Sequence, residues 1–403
     1  MRRIAAFTQM LIAGLGLGIV LVYLVGRIAT DRLLWTQYLY WVPTAVYLAA
    51  LTIPILFAVM VGWVGRKWEA DHTYWTTPLN RASRWPVRLT WACALCLLLG
   101  MLHIAWSECK VYRYIVRPAA RNTPSLIIVH WNTTVVEQSR WGQYVDALRA
   151  ATSPQQTPDV VIITNPTWGQ DLLKLSAALG PDYQTVRVGV FALATRLPII
   201  RTGWSTLDIP GYKQPGAMFD TKNQHDLTSG ELLPSYSPIS RVGGSIVDPG
   251  NVMFAELDAA GTLGGHFVIW AMDLPSDVRL SRYASAKKAA EKIQSLKTSA
   301  ERSPFPPPDM IVGDFNTPRG SASLALLAPG MTHGYQQAGR GYAASWPRDH
   351  AGPHGERIPN RFPFFHIDHM FVSPDFRASN YALLDPKIGE HYLQRAVIQR
   401  KRK

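Results

Sequence analysis

Polar side chains at the end of one apolar run are the first sign of chemistry in this sequence. The apolar residues 310–312 lead directly into Gly-Asp-Phe-Asn at 313–316, so a buried strand is predicted to end on a carboxylate, Asp314, and an amide, Asn316. A buried carboxylate is unfavourable unless a metal ion, a proton or a hydrogen-bond donor compensates it. This strand end therefore indicates a catalytic or metal-binding site.

Five more stretches place polar groups at predicted strand ends. Each alone has an ordinary explanation: Asn132 and Asn165 could cap or start turns, and Asp273 could be a loop carboxylate. The stretches are HWN (130–132), ITN (163–165), AMDLPSD (271–277), FHIDH (365–369) and GEH (389–391).

Taken together and in this order, the stretches resemble motifs of the endonuclease/exonuclease/phosphatase superfamily of metal-dependent phosphodiesterases. The resemblance covers roughly residues 124 to 398. Its sharpest motif is GDFN, and the supporting motifs are WN (131–132), GYAASWP (341–347), HIDHMFVS (366–373) and GEHYLQRAVI (389–398).

The resemblance implies a fold and a set of catalytic residues. The implied fold is a four-layered α/β sandwich, two packed mixed sheets flanked by helices, with the site at one rim. Asn132 and Asn316 would orient phosphate oxygens or support the metal, and Asp314 would polarise the attacking water. His391 would act as base or phosphate-binding partner, with Asp368 fixing its tautomer. These residue types suit phosphoryl transfer, which needs charge neutralisation and proton transfer near neutral pH.

Three positions depart from the family pattern. Asn165 stands where the family has a metal-binding Glu, Asp273 where it has a His, and Glu390 where it has an Asp. One carboxylate is lost at 165 and another is gained at 273, so the negative charge of the pocket is displaced and retained. These three residues are the candidate metal site, with Mg²⁺ or Mn²⁺ expected between Asp273, Asp314 and Glu390. The alternative is a degenerate site that binds a ligand without turnover.

The N-terminal quarter predicts a membrane domain. Three apolar runs, about 4–26, 39–65 and 87–106, are long enough to cross a bilayer as helices, with Trp and Tyr near their ends. The predicted organisation is a membrane domain at 1–106, a basic linker at 107–123, the phosphoesterase-like domain at 124–398 and a basic tail at 399–403. All three cysteines lie in or just after the third run, so no disulfide framework is expected beyond it.

Basic residues near the apolar runs predict the orientation. Arg2 and Arg3, together with the basic loop at 66–84, favour a cytoplasmic N-terminus, which places the C-terminal part outside the cytoplasm of an inner or plasma membrane. Four basic residues after the third run act in the opposite direction. They form either a stripe on anionic headgroups or a solvated linker, and they are Lys110, Arg113, Arg117 and Arg121.

Short apolar runs alternate with amphipathic stretches from residue 125 onward. Helices are predicted at 140–151, 170–179 and 282–302, and a β-hairpin at 251–274. Hairpin-like strand pairs and the lack of a Gly-rich phosphate loop count against a doubly wound parallel sheet. The segment 211–250 is predicted to be a long loop or lid, and the His- and Arg-rich stretch 333–369 either a phosphate-recruiting rim or a solvated loop.

The net charge of +13, from 41 Lys and Arg against 28 Asp and Glu, suits an anionic partner. The leading prediction is a membrane-anchored, metal-dependent phosphoesterase, either a phosphodiesterase, a phosphatase or a nuclease. Its substrate would be a phospholipid headgroup, a nucleic acid or a small phosphoester. The alternative is a catalytically inactive member of the fold that acts as a binding or scaffold protein in the cell envelope.

Overall fold

The structure is a computed structural model. It describes residues 2–70, 84–115, 123–134, 138–152, 157–166, 171–209, 241–242, 245–246, 249–298, 304–351, 357–360 and 363–401. Most of the predicted lid at 211–250 lies outside these residues. The chain divides into two compact units, Met1–Tyr112 and Arg113–Lys403.

The first unit is helical. Its α-helices are α1 (Arg2–Ala29), α2 (Leu34–Trp41), α3 (Thr44–Ala70) and α4 (Arg84–His103), and α4 continues into a five-residue π-helix, Ile104–Glu108. Three stretches are long and apolar enough to cross a membrane: Ile4–Ala29, Thr44–Gly65 and Trp85–Glu108. The prediction of three apolar N-terminal helices is therefore confirmed.

Helix α2 is an element that hydropathy did not separate from the second apolar run. The break after it has a local cause, because Pro43 disfavours helical geometry at the residue before it. Val42 is accordingly extended, with φ −64° and ψ 120°, and α3 begins at Thr44.

Polar side chains inside the first unit pair with one another. Gln9 Nε2 donates to Thr90 Oγ1 at 3.4 Å, and Arg27 Nη2 donates to Thr44 Oγ1 at 2.6 Å. The Arg27 guanidinium also lies 3.8 Å from the Glu108 carboxylate. Many large apolar side chains face outward, as a bilayer environment requires, while these polar groups are satisfied between helices.

The second unit contains sixteen described strands and seven α-helices. The helices are α5 (Tyr112–Ile115, which starts one residue earlier), α6 (Trp141–Thr152), α7 (Asp171–Leu179), α8 (Ala260–Leu263), α9 (Arg282–Thr298), α10 (Ala322–Leu327) and α11 (Gly334–Ala338). The strands are β1 (Leu126–Asn132), β2 (Val160–Thr164), β3 (Gln184–Val188), β4 (Phe191–Thr195), β5 (Ile199–Thr206), β6 (Arg241–Val242), β7 (Ser245–Ile246), β8 (Asn251–Asp258), β9 (His266–Asp273), β10 (Met310–Asp314), β11 (Thr332–His333), β12 (Asp349–Ala351), β13 (Arg357–Pro359), β14 (Asp368–Val372), β15 (Phe376–Leu384) and β16 (Leu393–Arg400).

These strands form two six-stranded sheets and two small hairpins. Sheet 1 has the order β15-β16-β1-β2-β4-β3, and sheet 2 has the order β11-β14-β10-β9-β8-β5. Both are mixed: β1 is parallel to β2 and β9 is parallel to β10, whereas the other pairs are antiparallel. Strand β16 extends to Arg400, so two residues of the expected basic tail lie in sheet 1.

The two sheets pack face to face, and helices cover both outer faces. Strand β10 shows the alternation: Met310 and Val312 face the core between the sheets, while Ile311 faces α9 and α10. On the other side, α6 and α7 cover sheet 1. The predicted architecture of two mixed sheets flanked by helices is therefore confirmed.

This topology brings polar strand ends to one rim. The parallel strands β9 and β10 end at Asp273 and Asp314, and the antiparallel strand β14 begins at Asp368 beside them. In sheet 1, β1 ends at Asn132, opposite Thr164 at the end of β2. The side chains predicted to carry the chemistry thus emerge from two sheets at a common edge.

Gly313 allows β10 to carry Asp314 to this edge. Its φ is +148°, and a Cβ added to it would lie 1.9 Å from the carbonyl oxygen of Met272 in β9. Gly313→Ala is expected to lower the free energy of unfolding by about 3 kcal/mol or more, because backbone strain adds to a clash with a neighbouring strand. Chemical denaturation of the full-length protein in detergent measures this loss.

Gly330→Ala is the matched control for Gly313→Ala. Gly330 also has a positive φ, +72°, but an added Cβ there meets no atom within 4 Å. Only the strain remains, about 1 kcal/mol. Equal destabilisation by the two substitutions would contradict the role assigned to the close contact with Met272.

Candidate active site

Three buried carboxylates form one row across sheet 2. Asp314 is paired in register with Asp273 on one side and with Asp368 on the other. Neighbouring strands are about 4.8 Å apart, so three negative charges would repel one another strongly away from water. Donors, protons or a cation must compensate this row.

Two donors hold the carboxylate of Asp314. Asn132 Nδ2 donates to Asp314 Oδ2 at 2.8 Å across the two sheets, and the backbone N–H of Asn316 donates to Oδ1 at 2.8 Å. Asn316 has a φ of +47°, a conformation that Asn tolerates better than most residues, and its side-chain Nδ2 donates to the carbonyl of Leu274 at 2.7 Å. The amide of Asn316 therefore supports the backbone of the loop.

These donors do not fully compensate Asp314. Burial, and then the nearby Asp368 carboxylate, raise the pKa of Asp314 to about 7, against the opposing effects of His391 and the two hydrogen-bond donors. The group is thus poised near neutrality, which is where a functional carboxylate can respond to a proton or a cation.

The imidazole of His391 lies between the carboxylates of Asp314 and Asp368. Its Nδ1 donates to Asp368 Oδ2 at 2.9 Å, and its Nε2 lies 3.9 Å from Asp314 Oδ2. Both partners and the imidazole itself are buried. The hydrogen bond to Asp368 fixes the ring so that Nε2 faces Asp314.

The pair of Asp368 and His391 favours the charged form of both groups. Burial alone would lower the pKa of His391, but the charge and hydrogen bond of Asp368, with smaller effects of Asp314 and Glu390, raise it to about 9. Burial would raise the pKa of Asp368, yet His391 brings it below the usual value. At neutral pH the site therefore holds an imidazolium next to a carboxylate.

Main-chain contacts position His391 from two sides. Trp131 Nε1 donates to the carbonyl of His391 at 3.1 Å, and the Trp131 ring stacks on Tyr144. Arg348 is buried, donating from Nε to Gly389 O at 2.6 Å and from its backbone N–H to Glu390 O at 2.7 Å. Arg348 therefore holds the segment before His391 and is not part of an exposed phosphate-binding rim.

Asn165, which follows β2, and Asp273, at the end of β9, contact each other. Asn165, just after β2, donates from Nδ2 to Asp273 Oδ2 at 2.9 Å. Its φ of +54° and the hydrogen bonds of Thr133 Oγ1 to Asn165 O and of Asn165 N to Val190 O hold it at this edge. Two of the three candidate metal ligands, Asn165 and Asp273, thus bind each other.

The carboxylates beside Asp314 are the oxygen ligands that this rim offers to a divalent cation. Asp314, Asp368 and His391 place possible ligand atoms within 4.8 Å of one another, one of two such sets in the described part of the chain. The row of carboxylates and the raised pKa of Asp314 indicate excess negative charge, and Mg²⁺ and Mn²⁺ prefer such oxygens. The predicted ligands Asp273 and Glu390 are outside this set. Asp273 is the register partner of Asp314, and Glu390 directly precedes His391 in the sequence.

The second set is His333, His366 and His369, and hydrogen bonds already occupy both ring nitrogens of His333 and His369. Tyr335 N donates to His333 Nδ1 at 3.0 Å, His333 Nε2 lies 2.8 Å from His369 Nδ1, and His369 Nε2 lies 2.8 Å from Thr317 O. A backbone N–H can only donate and a carbonyl can only accept. Each hydrogen bond in this series therefore donates in the direction from Tyr335 to Thr317, and both ring nitrogens of His333 and His369 are occupied.

Burial keeps these imidazoles neutral. It lowers the pKa of His369 to about 4 and those of His333 and His366 well below the usual value. This series of hydrogen bonds joins Thr317, in the loop after Asp314, to strands β11 and β14. The prediction of a solvated loop is wrong for these three residues because all of them are buried. His369 and, through it, His333 support the loop from within.

The structure brings together most of the candidate residues. Asn132, Asp314, Asp368 and His391 form one cluster, with Asn316 holding its loop. Asn165 and Asp273 form an adjoining pair, and Glu390 lies beside His391. Sequence reasoning missed Trp131, Arg348 and the chain of His333 and His369 as supports, because only their long-range backbone partners distinguish them from core or surface residues.

The chain matches no protein-family model and no curated protein. Solved structures do match it. One is an endonuclease/exonuclease/phosphatase family protein from Bacteroides thetaiotaomicron, with 18% identity and a TM-score of 0.48, covering 68% of this chain and 95% of that chain. The structures found include further members of that family.

Two other matches carry names for specific activities or ligands. A mannosyl-6-phosphatase from Bacteroides thetaiotaomicron has 17% identity and a TM-score of 0.47, with 68% of this chain and 99% of that chain covered. D. rerio TDP2 in complex with a single-strand DNA product has 14% identity and a TM-score of 0.42, with 68% and 99% covered.

Proposed function

We propose that this protein is a membrane-anchored, metal-dependent phosphoesterase. The observation that carries the proposal is the buried cluster in which Asp314 binds Asn132, faces His391 Nε2 and adjoins Asp368. A poised carboxylate, a cationic imidazole and amide donors at one rim are the groups that phosphoryl transfer uses.

Each residue of the cluster has a role in this proposal. Asn132 and Asp314 orient the phosphate and the attacking water, and Asn316 holds their loop. His391 is an imidazolium at neutral pH, so it donates from Nε2 to a phosphate oxygen or protonates the leaving group. Asp368 keeps the imidazole charged and oriented. The roles as phosphate ligand and acid are favoured over that of base.

Asp273, Asp314 and Glu390 would hold Mg²⁺ or Mn²⁺, with Asn165 orienting Asp273. The ion would supply positive charge to the phosphate oxygens and lower the pKa of a bound water. Manganese binding to the full-length protein is expected to weaken at least about tenfold in Asp273→Asn, because one buried negative ligand is lost. Isothermal calorimetry measures it, with the exposed Asp182→Asn as control, and unchanged affinity in Asp273→Asn contradicts this ligand set.

The three apolar helices agree with an integral membrane protein. The distribution of Lys and Arg supports an inner or plasma membrane with the second unit outside the cytoplasm, where phospholipid headgroups, nucleic acid or small phosphoesters are possible substrates. A reporter enzyme fused after Lys403 tests this orientation. Activity of a cytoplasm-only reporter would contradict it.

One observation favours the second candidate, a catalytically inactive binding or scaffold protein. Asn165 is a neutral amide at a position where the family has a carboxylate, and it occupies Asp273 Oδ2 with a hydrogen bond. Both changes weaken an ordinary magnesium site.

Hydrolysis assays separate the two candidates. Purified full-length protein is tested on bis-p-nitrophenyl phosphate, plasmid DNA and phospholipid vesicles with Mg²⁺, Mn²⁺ or Ca²⁺. The proposal expects turnover of at least one substrate that disappears in the double variant Asp314→Ala with His391→Ala and persists in Asp182→Ala. Turnover that survives the double variant, or silence on all three substrates, favours the binding protein.

A further inference from the structure

Arg113 fixes the start of the second unit to helix α11. Its Nη1 donates to the carbonyls of Tyr335 at 3.1 Å and Gly339 at 2.7 Å, and its Nη2 donates to Gln336 O at 2.6 Å. A cation at the C-terminal end of a helix is favoured by the exposed carbonyls and by the helix dipole. The guanidinium of Arg113 thus points toward the protein. It would not contribute to a basic stripe on lipid headgroups.

Exposed side chains follow Arg113 and its partner Gly339 in the sequence. Ile115 is 84% exposed, and Tyr114 and Tyr342 are each 55% exposed. The guanidinium of Arg340, also exposed, lies 5.7 Å from the centre of the Tyr114 ring. We call Tyr114, Ile115, Arg340 and Tyr342 the linker face. One branched aliphatic, two tyrosines and an arginine are the side chains that favour the water–lipid boundary.

The covalent chain limits how far the linker face can be from a bilayer. The third apolar stretch ends at Glu108, and Tyr114 follows only six residues later. Six residues span roughly 20 Å when fully extended, and less here because Tyr112–Ile115 is helical. The headgroup zone itself adds about 5–7 Å beyond the hydrocarbon on each side. The linker face is therefore within reach of lipid headgroups in any membrane-inserted form.

We propose that the linker face rests on the bilayer surface. Ile115 and Tyr342 lie at the boundary between headgroups and acyl chains, and Arg340 faces lipid phosphates. Arg113 holds Tyr114 and Ile115 rigidly beside the loop at 339–342, so the contact is made by a preformed surface. This proposal is independent of catalysis, and its test uses no substrate.

Lipid quenching in nanodiscs tests the contact. The full-length protein, with Cys93, Cys96 and Cys109 replaced by Ala, receives a single cysteine by Ile115→Cys or Tyr342→Cys and an environment-sensitive fluorophore. The nanodiscs contain phosphatidylcholine and phosphatidylglycerol with or without doxyl-labelled lipid. Quenching at both positions is expected to exceed that of a control position at least about twofold.

Leu173→Cys is the control. Leu173 is 70% exposed on α7, which packs on β3 and β4, whereas α11 packs on β15 at the other edge of sheet 1. Five strand spacings separate these edges, about 24 Å. Quenching at positions 115 and 342 that equals the control overturns the proposal. A blue-shifted emission without quenching indicates a protein partner on the linker face and also overturns it.

Discussion

Replacing Asp314 with Asn is expected to lower kcat/KM for bis-p-nitrophenyl phosphate by about a hundred- to a thousandfold, while the protein stays folded. The substitution removes the charge that the proposed site uses to bind the cation and polarise water. Loss of one electrostatic group from an active site typically lowers the rate by about this factor. Steady-state kinetics with Mn²⁺ measure the loss in the full-length protein.

Stability should change little in Asp314→Asn because two effects oppose each other. The new amide cannot accept from both Asn132 Nδ2 and Asn316 N, which costs about 1–3 kcal/mol. Removal of a buried charge beside Asp368 relieves repulsion in return. Asp182→Asn is the control for an exposed carboxylate, and an Asp314→Asn variant with more than a tenth of the original kcat/KM would exclude Asp314 from the reaction.

The second large effect concerns the charge of His391. In Asp368→Asn, the pKa of His391 is expected to fall from about 9 by about two units. Burial lowers this pKa, and only the smaller effects of Asp314 and Glu390 then remain to raise it. Histidine ¹³C NMR of the metal-free protein, with the resonance assigned by His391→Gln, measures this shift. Asp182→Asn, which alters an exposed carboxylate outside the cluster, should leave the His391 resonance titrating near pH 9.

The same charges predict the pH dependence of activity and stability. A reaction that needs protonated His391 falls above a pH of about 9, and Asp368→Asn moves this alkaline limb to lower pH. The raised pKa of His391 stabilises the fold fully below pH 6.5, and this contribution is lost as the pH rises through 9. An alkaline limb that stays in place in Asp368→Asn contradicts the pairing.

Local patterns were sufficient to predict the elements that carry the site. The apolar run before Asp314 and the hairpin before Asp273 have strand character that depends only on neighbouring residues, and both strands are present. The GDFN motif puts Asn316 directly after β10, but its side-chain amide donates to the carbonyl of Leu274, and its predicted role on the phosphate or the metal stays a prediction.

Long-range partners could not be predicted in the same way. The hydrogen bond of Asn165 to Asp273 joins residues 108 positions apart on different sheets. The stretch 333–369 predicts Arg348 to lie in a phosphate-recruiting rim or a solvated loop, because composition does not show that its guanidinium donates to Gly389 O. His333 and His369 likewise differ from surface histidines only through burial and tautomer, which are properties of the folded packing.

The contact between Asn165 and Asp273 has a consequence for substitutions at these two positions. A change of Asn165 to Glu alone would put a second carboxylate beside the buried Asp273, whereas the same change in a protein with His at position 273 would give the new Glu a compatible partner. The two positions are therefore expected to show sign epistasis.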